Sequence, residues 1–121
     1  MDDEHSLRLL MAALLERMGY QVDAAADGTE AVALYRERLN AQRPYHLVIL
    51  DMHIHGELVG PSVLEALREM DPAVNAIAAS GSVANDLPSL KQTSRFAAFL
   101  PKPFEADELI ALVASLVADR N

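Results

Sequence analysis

The chain has 121 residues, 51% of them hydrophobic and 23% charged, with a formal net charge of -8 and no cysteine. That length suits one domain, residues 1–121, and the composition excludes a disulfide frame, a thiolate metal site and a cysteine nucleophile. The ten basic residues are scattered among eighteen acids, no apolar run approaches the ~20 residues of a membrane span and no secretory signal opens the chain, so the expectation is a cytoplasmic protein with no direct nucleic-acid binding and no membrane insertion.

Residues 4–18 carry Leu7, Leu10, Met11, Leu14, Leu15 and Met18 at the spacing of an amphipathic helix, which Gly19 ends. The stretch YQVDAA, residues 20–25, is a short strand candidate. Gly28 opens a second helix with Ala31, Leu34, Tyr35 and Leu39 on one face. HLVIL, residues 46–50, is the continuous apolar run of a strand buried on both faces. Gly60-Pro61 starts a third helix, with Val63, Leu64, Leu67 and Met70 as its apolar face, and Asp71-Pro72 stops it. VNAIAAS (74–80) and FAAFL (96–100) are further strands. Residues 84–94 are poorly patterned, which predicts a short or mobile helix there. Residues 105–118 form a last helix, with Leu109, Leu112, Val113, Leu116 and Val117 at helical spacing.

Strands alternating with helices predict an α/β fold, a doubly wound parallel sheet flanked by helices on both faces. Ligands bind such sheets at the carboxyl ends of the strands. The polar residues expected at that edge are Asp2 and Asp3 before the first helix, Asp51 after 46–50, Ser80 at the end of 74–80, and Lys102 after 96–100. Carboxylates about 4 Å apart repel by about 4 kcal/mol per pair at an effective dielectric of 20, so such a cluster calls for a cation. All-oxygen ligands favour Mg²⁺, Mn²⁺ or Ca²⁺. A lysine and a hydroxyl beside them suit phosphoryl transfer, in which an aspartate can serve as nucleophile. Two other readings stand beside this one. Asp51 also fits a turn or helix cap, and His53 and His55, at alternate positions, also fit a transition-metal site.

These residues resemble those of response regulator receiver domains. DDEHSLRLLMAALLERMGYQVDAAADGTEAV is similar to the family's acidic pair, first helix and A-x-DG-x-EA turn. LVILDM, AIAASGS and FLPKPF are similar to its phosphoacceptor strand, its Ser/Thr position and its K-P motif, in order and at the family's intervals. The resemblance implies the flavodoxin-like receiver fold and a two-component phosphorelay. Asp51 then accepts a phosphoryl group from a histidine kinase or histidine phosphotransfer protein. Asp2, Asp3, Asp51 and the backbone carbonyl of His53 hold Mg²⁺ or Mn²⁺, Ser80 and Lys102 bind the phosphoryl group, and Phe99 is the aromatic switch. It also implies that the Lys102–Pro103 bond is often cis. Such a domain signals by conformational change and is not an enzyme beyond its own phosphorylation and dephosphorylation. Where proline is common, this chain has His55. His53 and Ser82 are expected to influence attack of water on the acyl phosphate. RPYHLVILD and SGSVAND resemble receivers of hybrid sensor histidine kinases.

The family's usual first strand, which precedes the acidic pair, is missing here. Three explanations follow: the domain is truncated before the acidic pair, a partner chain donates a strand, or YQVDAA pairs directly with HLVIL. The absent strand argues for an alternative function, a non-phosphorylated pseudo-receiver acting as an interaction or homodimerisation module, while the intact Asp51, Ser80 and Lys102 set argues against it. A small metal-dependent phosphohydrolase is a third reading, which lacks an evident additional base.

Overall fold

The computed structural model describes residues 1–81 and 96–120. In chain order the elements are α1 (His5–Arg17), α2 (Gly28–Asn40), β1 (Val48–Asp51), β2 (His53–Ile54), β3 (Glu57–Leu58), α3 (Gly60–Met70), β4 (Ala76–Ser80), β5 (Ala98–Pro101) and α4 (Ala106–Arg120). The helices predicted at 4–18, from Gly28, from Gly60 and at 105–118 form, as do the strands at 46–50, 74–80 and 96–100, with ends shifted by a residue or two.

Local chemistry sets the ends. Gly19 takes a φ of 94° after α1, a conformation that other residues resist. Asp27 caps α2, its Oδ1 accepting from the Glu30 N–H at 2.9 Å. Glu30 reaches back to accept from the Ala26 N–H at 3.3 Å, close to a reciprocal capping box. Gly60 starts α3 where a Cβ would lie 3.0 Å from the Met52 Cα and 3.1 Å from the Asp51 carbonyl oxygen. Only glycine lets that helix approach the end of β1 so closely.

The sheet is parallel, in the order β1-β4-β5. Asp51 pairs with Ala79 and Ser80 with Pro101, so the three strand ends lie side by side. A core sits on each face. Tyr35 of α2 and Val63, Leu64 and Leu67 of α3 pack on Leu50 and Ala76. Leu15 of α1 and Leu109 and Val113 of α4 pack on Ile77 and Leu100. All five residues of β4 are buried, as expected of a strand covered on both faces and paired on both edges.

Four features of the structure depart from the sequence reading. Residues 20–25 form no strand, because a strand needs a partner ladder and β1 does not reach them. Direct pairing of YQVDAA with HLVIL therefore does not occur. A groove of about 960 Å³ lies between the two segments instead. Second, β1 is an edge strand. Leu47, Val48 and Ile49 are only partly buried, and burial is complete only from Leu50 onward. Third, Leu10 and Met18 do not join the core face of α1: they are 52% and 55% exposed. The apolar residues of α1 wrap too far round the helix for one contact to cover them. Fourth, an unforeseen β2–β3 hairpin follows Asp51. It turns at His55 and Gly56, with φ of 51° and 80°. The expectations for residues 84–94 and Ser82 fall outside the described residues.

Candidate functional site

Parallel pairing in register brings the predicted polar residues to one edge. Asp51 closes β1, and Ser80 closes β4 one residue beyond the Cα partner of Asp51. Lys102 follows β5, and its N–H donates to the Ser80 carbonyl at 2.7 Å. The Lys102–Pro103 peptide is cis. Asp2 is held by its own N–H, which donates to the Ala25 carbonyl at 3.0 Å.

The side chains then meet. Lys102 Nζ donates to Asp2 Oδ2 at 2.7 Å and to Asp51 Oδ2 at 2.9 Å. Asp2, Asp3 and Asp51 each offer a carboxylate oxygen, all within 4.8 Å of one another. Asp51 Oδ1 accepts from the His53 N–H at 3.3 Å. Asp2, Asp51 and Ser80 are buried, while Asp3 is partly open. Phe99 is half-buried beside Met52 and Ala78.

Burial pushes the Asp51 carboxyl above its ordinary range, against the pull of Lys102. Burial alone would lower Lys102; its hydrogen bonds to Asp2 and Asp51 outweigh that and raise it. Asp3 is lowered, chiefly because the His55 N–H donates to it. The Met1 ammonium donates to the Ile49 carbonyl at 2.8 Å, and burial lowers it. One lysine thus offsets only part of the charge of three carboxylates, contacting Asp2 and Asp51 directly, and the remaining negative charge favours a cation. Three oxygen donors at this spacing fit a hard divalent ion.

Two contacts were not foreseen. The His55 N–H donates to Asp3 Oδ2 at 2.9 Å, which ties the hairpin turn to the acidic pair. Arg8 Nη1 donates to the Asp2 carbonyl at 2.7 Å. The His55-Gly56 pair was the available signal for the first, since glycine favours such turns. Nothing local signals the second. Among the described residues the ligand atoms within mutual reach belong to Asp2, Asp3 and Asp51, with neither histidine in that set, and His55 Nδ1 lies 3.5 Å from Asp3 Oδ2 at its edge.

Against known proteins, the profile of the response regulator receiver domain matches residues 1–114. The chain belongs to this family. It is 33% identical over 116 residues to a putative NtrX-like response regulator of Rickettsia typhi, covering 93% of this chain and 23% of that protein. It is 31% identical over 124 residues to the sensor kinase CckA of Brucella abortus, covering 99% of this chain and 12% of that one. The receiver domain of NtrX from Brucella abortus superposes with a TM-score of 0.81 at 27% identity, over 97% of this chain and 94% of that one. The fold is therefore that of a receiver domain, the signalling module of two-component systems. The chain spans about a quarter or less of these full-length relatives. No helix among the described residues is long and apolar enough to cross a membrane.

Proposed function

We propose that residues 1–121 act as a cytoplasmic receiver domain that accepts a phosphoryl group on Asp51 from a histidine kinase or histidine phosphotransfer protein. The reading rests on one observation: Lys102 Nζ sits between Asp2 and Asp51, beside a third carboxylate, at the carboxyl edge of a parallel sheet.

Asp2, Asp3, Asp51 and the His53 carbonyl would hold Mg²⁺ or Mn²⁺. Bound there, the ion supplies charge neutralisation for the phosphoryl oxygens. The Asp51 Oδ attacks phosphorus as the nitrogen–phosphorus bond of the donor phosphohistidine breaks. The electron pair of that bond stays on the imidazole, and Asp51 becomes an acyl phosphate. Lys102, relieved of Asp2, pairs with a phosphoryl oxygen, and the Ser80 hydroxyl donates to another. Attack of water later returns Asp51, so the domain times its own signal. Phe99, half-buried against Met52 and Ala78, turns inward as Ser80 engages, and a changed surface is what the partner reads.

Intact mass spectrometry with Mg²⁺ and a small phosphodonor tests this. One phosphoryl adduct is expected, absent from Asp51→Asn and absent without the metal. A folded protein that takes no adduct would instead be a non-phosphorylated interaction module.

A further inference from the structure

The acidic group has two unlike poles. At the buried pole Lys102 Nζ holds Asp2 Oδ2 and Asp51 Oδ2 at 2.7 and 2.9 Å. The other oxygens of those two residues accept backbone N–H groups, Asp2 Oδ1 from Glu4 at 2.9 Å and Asp51 Oδ1 from His53 at 3.3 Å. At the open pole stands Asp3, and one residue approaches its Oδ2 twice. The His55 N–H donates to that oxygen at 2.9 Å, and His55 Nδ1 lies 3.5 Å from it. The backbone makes this double approach possible. His55 turns with a φ of 51°, a left-handed conformation that histidine enters more readily than most side chains, and Gly56 follows at 80°. The His55 side chain is 81% exposed, against 27% for Asp3, so the ring can rotate without displacing the core.

We propose that His55 is a specificity-determining residue of the cation site: its N–H fixes the Asp3 carboxylate, and its imidazole supplies a nitrogen donor at the open pole that turns the site's preference from Mg²⁺ toward nitrogen-accepting divalent ions such as Co²⁺. The inference rests on the proposed cation role of Asp2, Asp3 and Asp51. Carboxylate oxygens alone select hard ions, and Mg²⁺ held by a few of them keeps several waters. An imidazole on the solvent side replaces one of those waters. Mg²⁺ gives up water reluctantly, whereas Co²⁺, higher in the Irving–Williams order, gains from a nitrogen ligand. The competing arrangement is a simple ion pair of protonated His55 with Asp3. That pair would oppose every cation alike, and with so exposed a ring it contributes little of its own.

Calorimetric titration of the full chain with Mg²⁺ and with Co²⁺, at about pH 8 where a free imidazole is neutral, tests this against His55→Gly. Glycine keeps the N–H and accepts the positive φ. His55→Asn, which also tolerates that backbone and offers an oxygen in place of the ring nitrogen, is the second variant. Both variants are expected to bind Co²⁺ about tenfold more weakly than the parent, with Mg²⁺ affinity retained. In proton NMR of the Co²⁺ form, a strongly shifted, exchangeable imidazole N–H signal is expected from the parent and from neither variant. An unchanged ratio of Co²⁺ to Mg²⁺ affinity overturns the proposal, as does an imidazole signal that survives in both variants. A rise in affinity for both ions overturns it too and leaves the ion pair. A folded parent that binds neither ion removes the acidic group from cation binding, and this inference with it. A parent that binds Mg²⁺ with a preference unmoved by either variant removes His55 alone and leaves the phosphoacceptor reading standing.

Discussion

Lys102 and Asp51 lie 51 residues apart in the chain, yet their side chains meet at 2.9 Å, and the same ammonium holds Asp2 at 2.7 Å. The side chains are 19%, 8% and 5% exposed for Lys102, Asp51 and Asp2, so solvent screens these contacts poorly. Removing one partner of a buried ion pair leaves an uncompensated charge. Lys102→Met is expected to destabilise the fold by about 3 kcal/mol at pH 7, measured by urea unfolding. The folded pKa of Lys102 is raised. Its contribution is thus complete below the ordinary lysine range and is lost only as pH rises through the folded value. A pH 7 variant as stable as the parent would show that the contact contributes little.

Asp51 has the opposite consequence for its own charge. Its folded pKa is raised, first of all by burial. Stability from its protonated form is present below the unfolded value and is lost as pH rises through the folded one. At neutral pH the ionised carboxylate therefore works against folding. Without divalent cations, Asp51→Asn should melt above the parent at pH 7, with the gap closing near pH 3.5. Mg²⁺ should then stabilise the parent by about 2.7 kcal/mol at a hundredfold excess over its Kd, and the variant far less. Equal Mg²⁺ stabilisation of both would remove Asp51 from the cation site.

Gly28 and Val63 join α2 to α3. A Cβ on Gly28 would lie 2.8 Å from Val63 Cγ2, and Val63 is packed in the core. Gly28→Ala gains some helix propensity, yet overpacking of this kind typically costs about 1–3 kcal/mol. The double variant with Val63→Ala should be less destabilised than the two single effects added together. Strict additivity in that cycle would mean the contact is relieved by backbone movement.

Tyr45 is a pH marker for the groove between residues 20–25 and β1. Its hydroxyl donates to Asp23 Oδ2 at 2.6 Å, and the Arg38 guanidinium lies 5.3 Å from its ring centre. Burial, with Asp23 second, raises its pKa to about 12. Protonated Tyr45 contributes fully below its ordinary value near 10, and that contribution is lost as pH climbs to about 12. Tyr45→Phe should flatten the stability profile between those limits. An unchanged slope in denaturant midpoints would dissociate Tyr45 from the alkaline transition.

Much of the site was legible before any coordinates. Asp51, Ser80 and Lys102 follow apolar runs, and in a parallel sheet every strand end reaches the same edge, so their convergence is a consequence of topology. The β2–β3 hairpin was not legible. Its strands are two residues each, too short for an alternation to register, and only the backbone at His55 and Gly56 declares the turn.

The sequence by itself determined the helices, the three paired strands and the order of polar residues along the chain. Those depend on spacing and caps, which act within a few residues. Only the tertiary structure decided which carboxylates share Lys102, that His55 reaches Asp3, and that residues 20–25 stand apart from β1. A strand exists only with its neighbour, and a buried charge is placed only by the partner opposite. Both are contacts between distant parts of the chain, and no local pattern encodes them.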